Sequence, residues 1–138
     1  MSILEQNKEL IRRYTRAVFD EGDVAAVDEC LAPDFHNHVT GRTGTDDFKQ
    51  LARAVGQASG TANVIEFMVA EGDLVVAYMT VTRTLHEELQ AFGFTFPGDG
   101  RSYTVKHVHI YRIAGGRIRE HWAVRDDLAM LRQLGALT

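Results

Sequence analysis

The 138-residue chain lacks the features that mark several classes of protein. It has one cysteine, Cys30, so it can form neither an intramolecular disulfide nor a metal site built from paired cysteines. The formal net charge is −4, and no run of lysine and arginine stands out. Because nucleic-acid surfaces concentrate basic residues to displace counterions from phosphates, the sequence predicts no nucleic-acid partner.

Long apolar runs are absent as well. No segment approaches the length of apolar residues needed to cross a bilayer, so no membrane partner is predicted. Residues 1–6 reach acidic and polar positions almost at once and have neither the basic start nor the apolar run of a secretory signal. We therefore expect a cytoplasmic protein. The length and the ordinary globular composition predict a single domain over residues 1–138.

Apolar residues recur at three- and four-residue steps in the first part of the chain, which predicts three helices. The first begins near Ile3 and ends at Gly22. Asp23 is predicted to be the N-cap of the second helix, which closes before Pro33. Cys30 falls in this stretch as a small buried hydrophobe. Thr45 is predicted to cap the third helix.

The pattern then changes to alternation, which predicts strands over about 63–70, 74–85, 103–113 and 117–124. Residues 114–116 are predicted to form the hairpin turn between the last two strands. A helix carrying Leu128, Leu131 and Leu134 closes the chain. Residues 91–100 are rich in aromatics and glycine, and we expect a flap there. Helices followed by an antiparallel meander predict the α+β class.

The strand over residues 103–113 carries two histidines on one face. Alternation puts His107, His109 and Tyr111 on one side of the sheet. Such a polar strip can donate, accept or move protons near neutral pH. The alternative interpretation is a pair of hydrogen-bonded histidines on a solvent-facing strip.

The next strand carries further candidates. Alternation divides it into two faces, one of which holds Arg119, His121, Ala123 and Arg125. One of these faces must share the side of the histidine pair. Trp122, on the other face, is predicted to pack in the core. Asp126 or Asp127 is predicted to cap the last helix.

Histidines also alternate in residues 34–38, a segment that is predicted to be a loop. Imidazole is a common transition-metal ligand, so His36 and His38 allow a metal interpretation, as do His107 and His109. No carboxylate stands at a recognised ligand spacing beside either pair, and no metal site is predicted. Phosphate-binding loops, nucleophile elbows and zincin motifs are absent too.

Four stretches of the sequence resemble the SnoaL-like polyketide cyclases, which include ester cyclases; they are 10–14 (LIRRY), 28–35 (DECLAPDF), 116–122 (GRIREHW) and 126–135 (DDLAMLRQLG). The resemblance covers nearly the whole chain. It implies the nuclear transport factor 2-like cone, in which N-terminal helices wrap a curved antiparallel sheet. It also implies a homodimer formed through sheet faces, a hydrophobic or aromatic small-molecule ligand, and no cofactor.

In the cyclising members of this family, an aspartate on the last strand removes a proton from an activated carbon, and the ring closes by an intramolecular aldol reaction. The resemblance places that aspartate at Ala123, the pocket asparagine at Asn37, the pocket histidine at His109 and a pocket glutamine at His107. Alanine cannot move a proton. The resemblance therefore implies His107 or His109 as the base, with Asp126 as a further catalytic residue.

Five residues are expected to bind the substrate: Tyr14, Asn37, His38, His121 and Arg125. The expected reaction is cyclisation or isomerisation of an aromatic polyketide, or of a similar substrate with an acidic carbon. Two alternatives stay open. One is a hydroxylase-type member of polyketide biosynthesis, which residues 122–127 resemble. The other is a non-catalytic module that binds a small ligand, which the loss of the aspartate at Ala123 favours.

Overall fold

The structure contains the three predicted N-terminal helices, the four predicted strands and the predicted closing helix, and it adds short strands before and after the third helix. The computed structural model describes residues 1–55 and 60–137. Its elements are α1 (Ile3–Tyr14), a π-helical turn (Thr15–Asp20), α2 (Val24–Cys30), β1 (Leu31–Asn37), β2 (Arg42–Thr43), α3 (Asp46–Val55), β3 (Thr61–Glu71), β4 (Leu74–Thr84), β5 (Leu89–Ala91), β6 (Phe94–Phe96), β7 (Ser102–Ala114), β8 (Arg117–Arg125) and α4 (Asp127–Gln133). The fold is α+β, with a curved sheet that does not close into a barrel.

The predicted ends of the N-terminal helices are mostly confirmed. Gly22 follows the π-helical turn with a φ of 68°, a conformation that glycine adopts at little cost. The Asp23 side chain accepts a hydrogen bond of 3.3 Å from the backbone N–H of Ala26, as expected of an N-cap. The second helix ends at Cys30, because the chain becomes extended ahead of Pro33.

Six strands form the main sheet in the order β2-β1-β8-β7-β4-β3. Its pairs are antiparallel except β1 with β8, which run parallel. The prediction of a loop over residues 34–38 is wrong, since β1 extends through Asn37. Its hydrogen-bonding partner is β8, more than eighty positions away, so local sequence patterns carry little sign of it.

A β-bulge in β8 changes which of its residues face inward. Arg112 pairs with Glu120 but Ile113 pairs with Ile118, so Arg119 is the extra residue. Strict alternation had placed Arg119 on the face of His121, and that assignment is wrong. Arg119 is exposed and forms an ion pair with Asp34 at 3.1 Å, whereas Ile118 is fully buried.

The inner face of the sheet carries two apolar clusters. The larger lies under the N-terminal helices and includes Ile11, Tyr14, Val18, Val27, Cys30, Phe35, Val75, Tyr111 and Ile118. The smaller lies under α4 and the β5–β6 hairpin and includes Leu85, Phe96, Tyr103, Val105, Met130, Leu131 and Leu134. Along β7 the two clusters are separated by His107 and His109. The fold therefore places these two polar rings between two apolar regions.

The outer face of the sheet keeps several large apolar side chains exposed, namely Val64, Phe67, Val69 and Val124. Trp122 lies on this face and is half-buried, so its predicted place in the core is wrong. His38 stacks on its indole ring with centroids 4.5 Å apart. Within the described ranges, no helix is long and apolar enough to span a bilayer.

Candidate functional site

The candidate site is centred on the inner face of β7, and the strands on either side leave space there. His109 pairs in register with Ala77 of β4 and with Ala123 of β8. His107 pairs with Met79 on one side and Arg125 on the other. Because alanine flanks His109 on both neighbouring strands, the imidazole of the next inward residue of β8 can reach it.

Three imidazole rings form a continuous hydrogen-bonded row, which we call the histidine row: His107, His109 and His121. His107 Nδ1 lies 3.2 Å from His109 Nε2, and His109 Nδ1 lies 2.8 Å from His121 Nε2. His121 Nδ1 in turn lies 3.0 Å from Oδ1 of Asn37, at the end of β1. Both ring nitrogens of His109 and His121 are engaged, whereas His107 uses only Nδ1 within the row.

Burial keeps the histidine row neutral at pH 7. Burial lowers the pKa of His109 to about 3, with further lowering from the charges of His121, His107 and Arg125. Burial also lowers the pKa of His121 to about 4, helped by the positive charge of Arg125. The pKa of His107 is lowered by burial and by Arg125, while Asp127 acts in the opposite direction.

A cavity of about 160 Å³ opens beside the end of the row, lined by Arg83, Leu89, Ala91, Phe92, Tyr103, Val105, His107, Arg125, Asp127 and Met130. His107 is the member of the row that lines it. The β5–β6 hairpin forms one wall through Leu89, Ala91 and Phe92, which agrees with the predicted flap. The apolar walls suit an aromatic or hydrophobic ligand, and His107, Arg125 and Asp127 add polar groups to the lining.

A second cavity, of about 250 Å³, lies under α3 at the far end of β4; it is lined by Phe19, Leu51, Ala54, Val55, Thr61, Arg83, Thr84, Leu85, His86 and Glu87. Arg83 lines both cavities. It is the last inward residue of β4, after Val75, Ala77, Met79 and Val81. Arg83 therefore connects the linings of the two cavities.

Arg125 supplies positive charge to the first cavity. Its Nε lies 3.8 Å from the Asp127 carboxylate, a loose ion pair on partly exposed side chains. Its charge lowers the pKa of all three members of the histidine row. The same charge would favour an anionic oxygen that develops on a ligand beside His107.

The structure brings together five of the sequence-predicted site residues: His107, His109, His121, Asn37 and Arg125. It places the other three elsewhere.

Asp126 lies outside the histidine row, and its side chain accepts a hydrogen bond of 3.0 Å from the N–H of Ala129. The prediction that Asp126 or Asp127 caps the last helix is therefore confirmed for Asp126. Its neighbour Asp127 is the carboxylate that lines the cavity.

Tyr14 and His38 are also separated from the cavity. Tyr14 is buried in the larger apolar cluster, where its ring packs edge-on against Tyr111 at 6.2 Å, and burial raises its pKa well above the usual value. His38 lies on the outer side of the sheet, stacked on Trp122, with Nε2 3.4 Å from Glu120. Neither side chain lines the cavity beside His107.

Two charged residues of the cavity were missed from the sequence as ligand-binding groups, Arg83 and Asp127. Alternation along β4 carried a usable signal for Arg83, since it shares the face of Val81. The sequence predicts Asp127 only as a possible helix cap, because an aspartate at the start of a helix looks the same whether it caps the helix or lines a cavity. Over residues 1–55 and 60–137, no group of three or more His, Cys, Asp or Glu side chains is arranged to hold a metal ion.

Comparison with known proteins agrees with this architecture. Residues 9–134 match the family described as SnoaL-like polyketide cyclase. Over 125 residues the chain is 31% identical to the nogalonic acid methyl ester cyclase of Streptomyces nogalater, an alignment that covers 86% of this chain and 90% of that protein.

Solved structures show the same fold. TsrD from Streptomyces laurentii superposes with a TM-score of 0.81 at 26% identity, covering 99% of this chain and all of that one. AclR from Streptomyces galilaeus, described as a candidate hydroxylase, superposes with a TM-score of 0.78 at 21% identity, covering 98% of this chain and 99% of that one. At that identity, the similarity to AclR shows the fold alone.

Proposed function

The chain belongs to the SnoaL-like polyketide cyclase family, and on that premise we propose that it cyclises or isomerises an aromatic polyketide by acid–base chemistry with His107 as the base. One observation carries the choice of base: His107 lines the cavity, and its Nδ1 is bonded to His109, which leaves Nε2 for a ligand. His109 has both ring nitrogens bonded to other histidines. The family's aspartate position holds Ala123 in this chain.

Ring closure requires a proton to leave a carbon atom of the substrate and a proton to be added to an oxygen atom. His107 Nε2 accepts the proton of an activated C–H bond, and the electron pair of that bond forms an enolate. The enolate carbon attacks a carbonyl carbon of the same molecule, and the new alkoxide oxygen takes the proton back from His107. In an isomerisation, the proton returns to a different carbon. No other reactant is consumed, so the proposed reaction is independent of a cofactor.

Arg125 is proposed to stabilise the enolate. Its guanidinium lines the same cavity as His107, and the low polarity of the surrounding walls strengthens its attraction for a developing negative charge. Burial and, to a smaller extent, the charge of Arg125 lower the pKa of His107, so the base is present in its active neutral form at pH 7.

The test is a ring-closure assay with nogalonic acid methyl ester, the compound in the name of the S. nogalater relative, and with a panel of anthraquinone esters. His107→Gln should lower kcat/KM by roughly 10²- to 10⁴-fold, the usual contribution of a positioned acid or base. The wild-type rate should fall as the pH drops through a pKa below 6.5, because protonated His107 cannot act as a base.

His36→Gln provides the matched control, since His36 bonds to Thr43 and lies outside the histidine row. It should keep the wild-type rate. Full activity in His107→Gln would rule out His107 as the base. Oxygen consumption that accompanies turnover would instead support the hydroxylase alternative, and tight binding without turnover would support the binding module.

The outer face of the sheet is proposed to form a homodimer with a second copy of the chain. Val64, Phe67 and Val69 of β3 are exposed, as is Val124 of β8, and Phe67 stacks on Tyr78 at 5.1 Å. The three exposed apolar side chains of β3 follow one another along a single strand, and a contiguous apolar patch of this kind is typical of an interaction surface.

Light scattering at micromolar concentration tests the dimer. The wild type should have twice the mass of one chain, and Phe67→Glu should have the mass of one chain. Leu128→Glu is the control, because Leu128 is similarly exposed but lies on α4. A monomeric wild type, or a dimer that survives Phe67→Glu, would contradict the proposed face. A cytoplasmic location and the absence of nucleic-acid and membrane partners stay predictions from the sequence.

A further inference from the structure

Asn37 occupies a rigid position at the end of the histidine row. It is the last residue of β1 and pairs in register with His121 of β8. The backbone N–H of His38 donates to the carbonyl of His121 at 2.8 Å, and the N–H of Gly41 donates to the carbonyl of Asn37 at 2.8 Å. The chain is therefore held on both sides of Asn37, and its amide stands directly against His121.

The orientation of the Asn37 amide is set by the backbone. The N–H of Val39 lies 3.1 Å from Asn37 Oδ1 and can only donate, so the atom at this position must be the oxygen. The same oxygen lies 3.0 Å from Nδ1 of His121. An oxygen of this kind can only accept, so His121 must carry its proton on Nδ1.

The position of the proton on His121 determines the positions of the protons on His109 and His107. With a proton on Nδ1, neutral His121 has its lone pair on Nε2, which accepts from Nδ1–H of His109. Neutral His109 then has its lone pair on Nε2, which accepts from Nδ1–H of His107. His107 is left with a lone pair on Nε2, at the end of the row that lines the cavity.

We propose that Asn37 is a positioning residue that fixes one hydrogen-bond direction through the histidine row, so that His107 presents a lone pair and not an N–H to the cavity. The reversed row would place a proton on every Nε2 and turn His107 into a donor. In the wild type, the reversed direction would bring the unprotonated Nδ1 of His121 against Oδ1 of Asn37, so that two acceptors face each other. If the Asn37 amide turned over to donate to His121, its N–H group would face the backbone N–H of Val39, so that two donors would face each other.

The tautomers can be measured directly by ¹⁵N NMR, since protonated and unprotonated ring nitrogens differ widely in chemical shift. At pH 8 the three histidines of the row should all carry the proton on Nδ1, the opposite of the tautomer that dominates for free histidine in water. His36, outside the row, serves as an internal comparison. Protons on Nε2 in the row, or a mixture of both tautomers, would overturn the proposal.

Two substitutions of Asn37 distinguish its effect on the hydrogen-bond direction in the histidine row from its effect on packing. Asn37→Asp keeps an acceptor for both Val39 and His121, so the row should keep Nδ1–H throughout, and the added negative charge should raise the pKa of His121. Asn37→Leu removes the acceptor, and both directions should then be populated. Its kcat/KM should fall by roughly 3- to 10-fold, with the base form of His107 less populated, as expected for the loss of one hydrogen bond.

Gln133→Leu is the control for the loss of side-chain hydrogen bonds that lie outside the histidine row. The Gln133 side chain bonds to both the N–H and the carbonyl of Thr104, at 2.8 and 3.0 Å, near the start of β7. This variant should lose stability and keep the tautomers of the wild type. If Asn37→Leu also keeps every proton on Nδ1, Asn37 does not set the direction.

The effect on rate rests on the proposed function, but the tautomers do not. A row with all protons on Nδ1 in a protein that turns over no polyketide would uphold the orientation by Asn37 and defeat the proposed reaction. Turnover that needs His107, in a row whose tautomers are mixed, would uphold the reaction and defeat the role of Asn37.

Discussion

Lowering the pH from 8 to 5 should destabilise the fold through two histidines that the fold removes from water, His109 and His121. His109 and His121 are held neutral by burial, with pKa values of about 3 and about 4. In the unfolded chain both should titrate near the ordinary value of about 6.5. The unfolded chain therefore binds more protons than the folded protein over this range, and the free energy of unfolding falls as the pH falls.

The size of the effect at pH 5 depends mainly on the unfolded chain, because both folded pKa values lie below 5. Each histidine is then about 1.5 pH units below its unfolded pKa, and at about 1.4 kcal/mol per unit it removes about 2 kcal/mol. The two together should remove about 4 kcal/mol. A domain of this kind has a total stability of about 5–15 kcal/mol, so the loss is large enough to measure.

Urea unfolding at constant protein concentration and four pH values between 8 and 5 would measure this loss. The wild type should lose about 4 kcal/mol through His109 and His121, with a further loss through His107, whose pKa is also lowered by burial. His109→Gln and His121→Gln should each lose about 2 kcal/mol less than the wild type. His36→Gln should behave as the wild type, since His36 is outside the row. Equal stability at pH 8 and pH 5 in the wild type would show that the row is not held neutral.

Other substitutions test the packing and the site. Asp126→Ala should lower the free energy of unfolding by about 1 kcal/mol, as the loss of a helix N-cap does, and Asp126→Asn should retain most of it in urea unfolding. Phe35→Ala should cost about 3–5 kcal/mol in the same assay, because Phe35 is fully buried in the larger apolar cluster. Ala123→Asp places a carboxylate in register with His109 and should raise its pKa; an unchanged ¹⁵N titration of His109 would show that the two side chains do not meet.

Local patterns in the sequence predicted the order of the helices and strands well. Period-two alternation identified β7 and the face of its histidines, and Asp23 marked the start of α2. These signals depend on neighbours within a few positions along the chain, so they can be read without the fold. The resemblance to the family supplied the curvature of the sheet and the asparagine at position 37.

The errors arose where distant strands meet. The pairing of β1 with β8 turned a predicted loop into a strand and carried His38 to the outer face beside Trp122. The bulge at Arg119 changed the inward face of β8, and no glycine marked it in the sequence. Both features depend on which strand lies alongside, and this is decided by the whole fold.

The hydrogen bonds of the histidine row also join residues at very different separations along the chain. His107 and His109 share one strand and His121 lies on the next, joined through a tight turn at Gly115 and Gly116 with positive φ.

Asn37 reaches His121 from 84 positions away in the chain. Closing so long a loop carries an entropic cost and is intrinsically slower than forming a hairpin.

The parallel contact between β1 and β8 should therefore be a late event in folding. Until β1 docks, the three histidines lack the acceptor on Asn37 that fixes the direction of their hydrogen bonds. The chain's one tryptophan, Trp122, lies where β1 meets β8, and His38, the residue after β1, stacks on its ring. Its fluorescence during refolding should report the moment at which the three imidazoles gain their common direction.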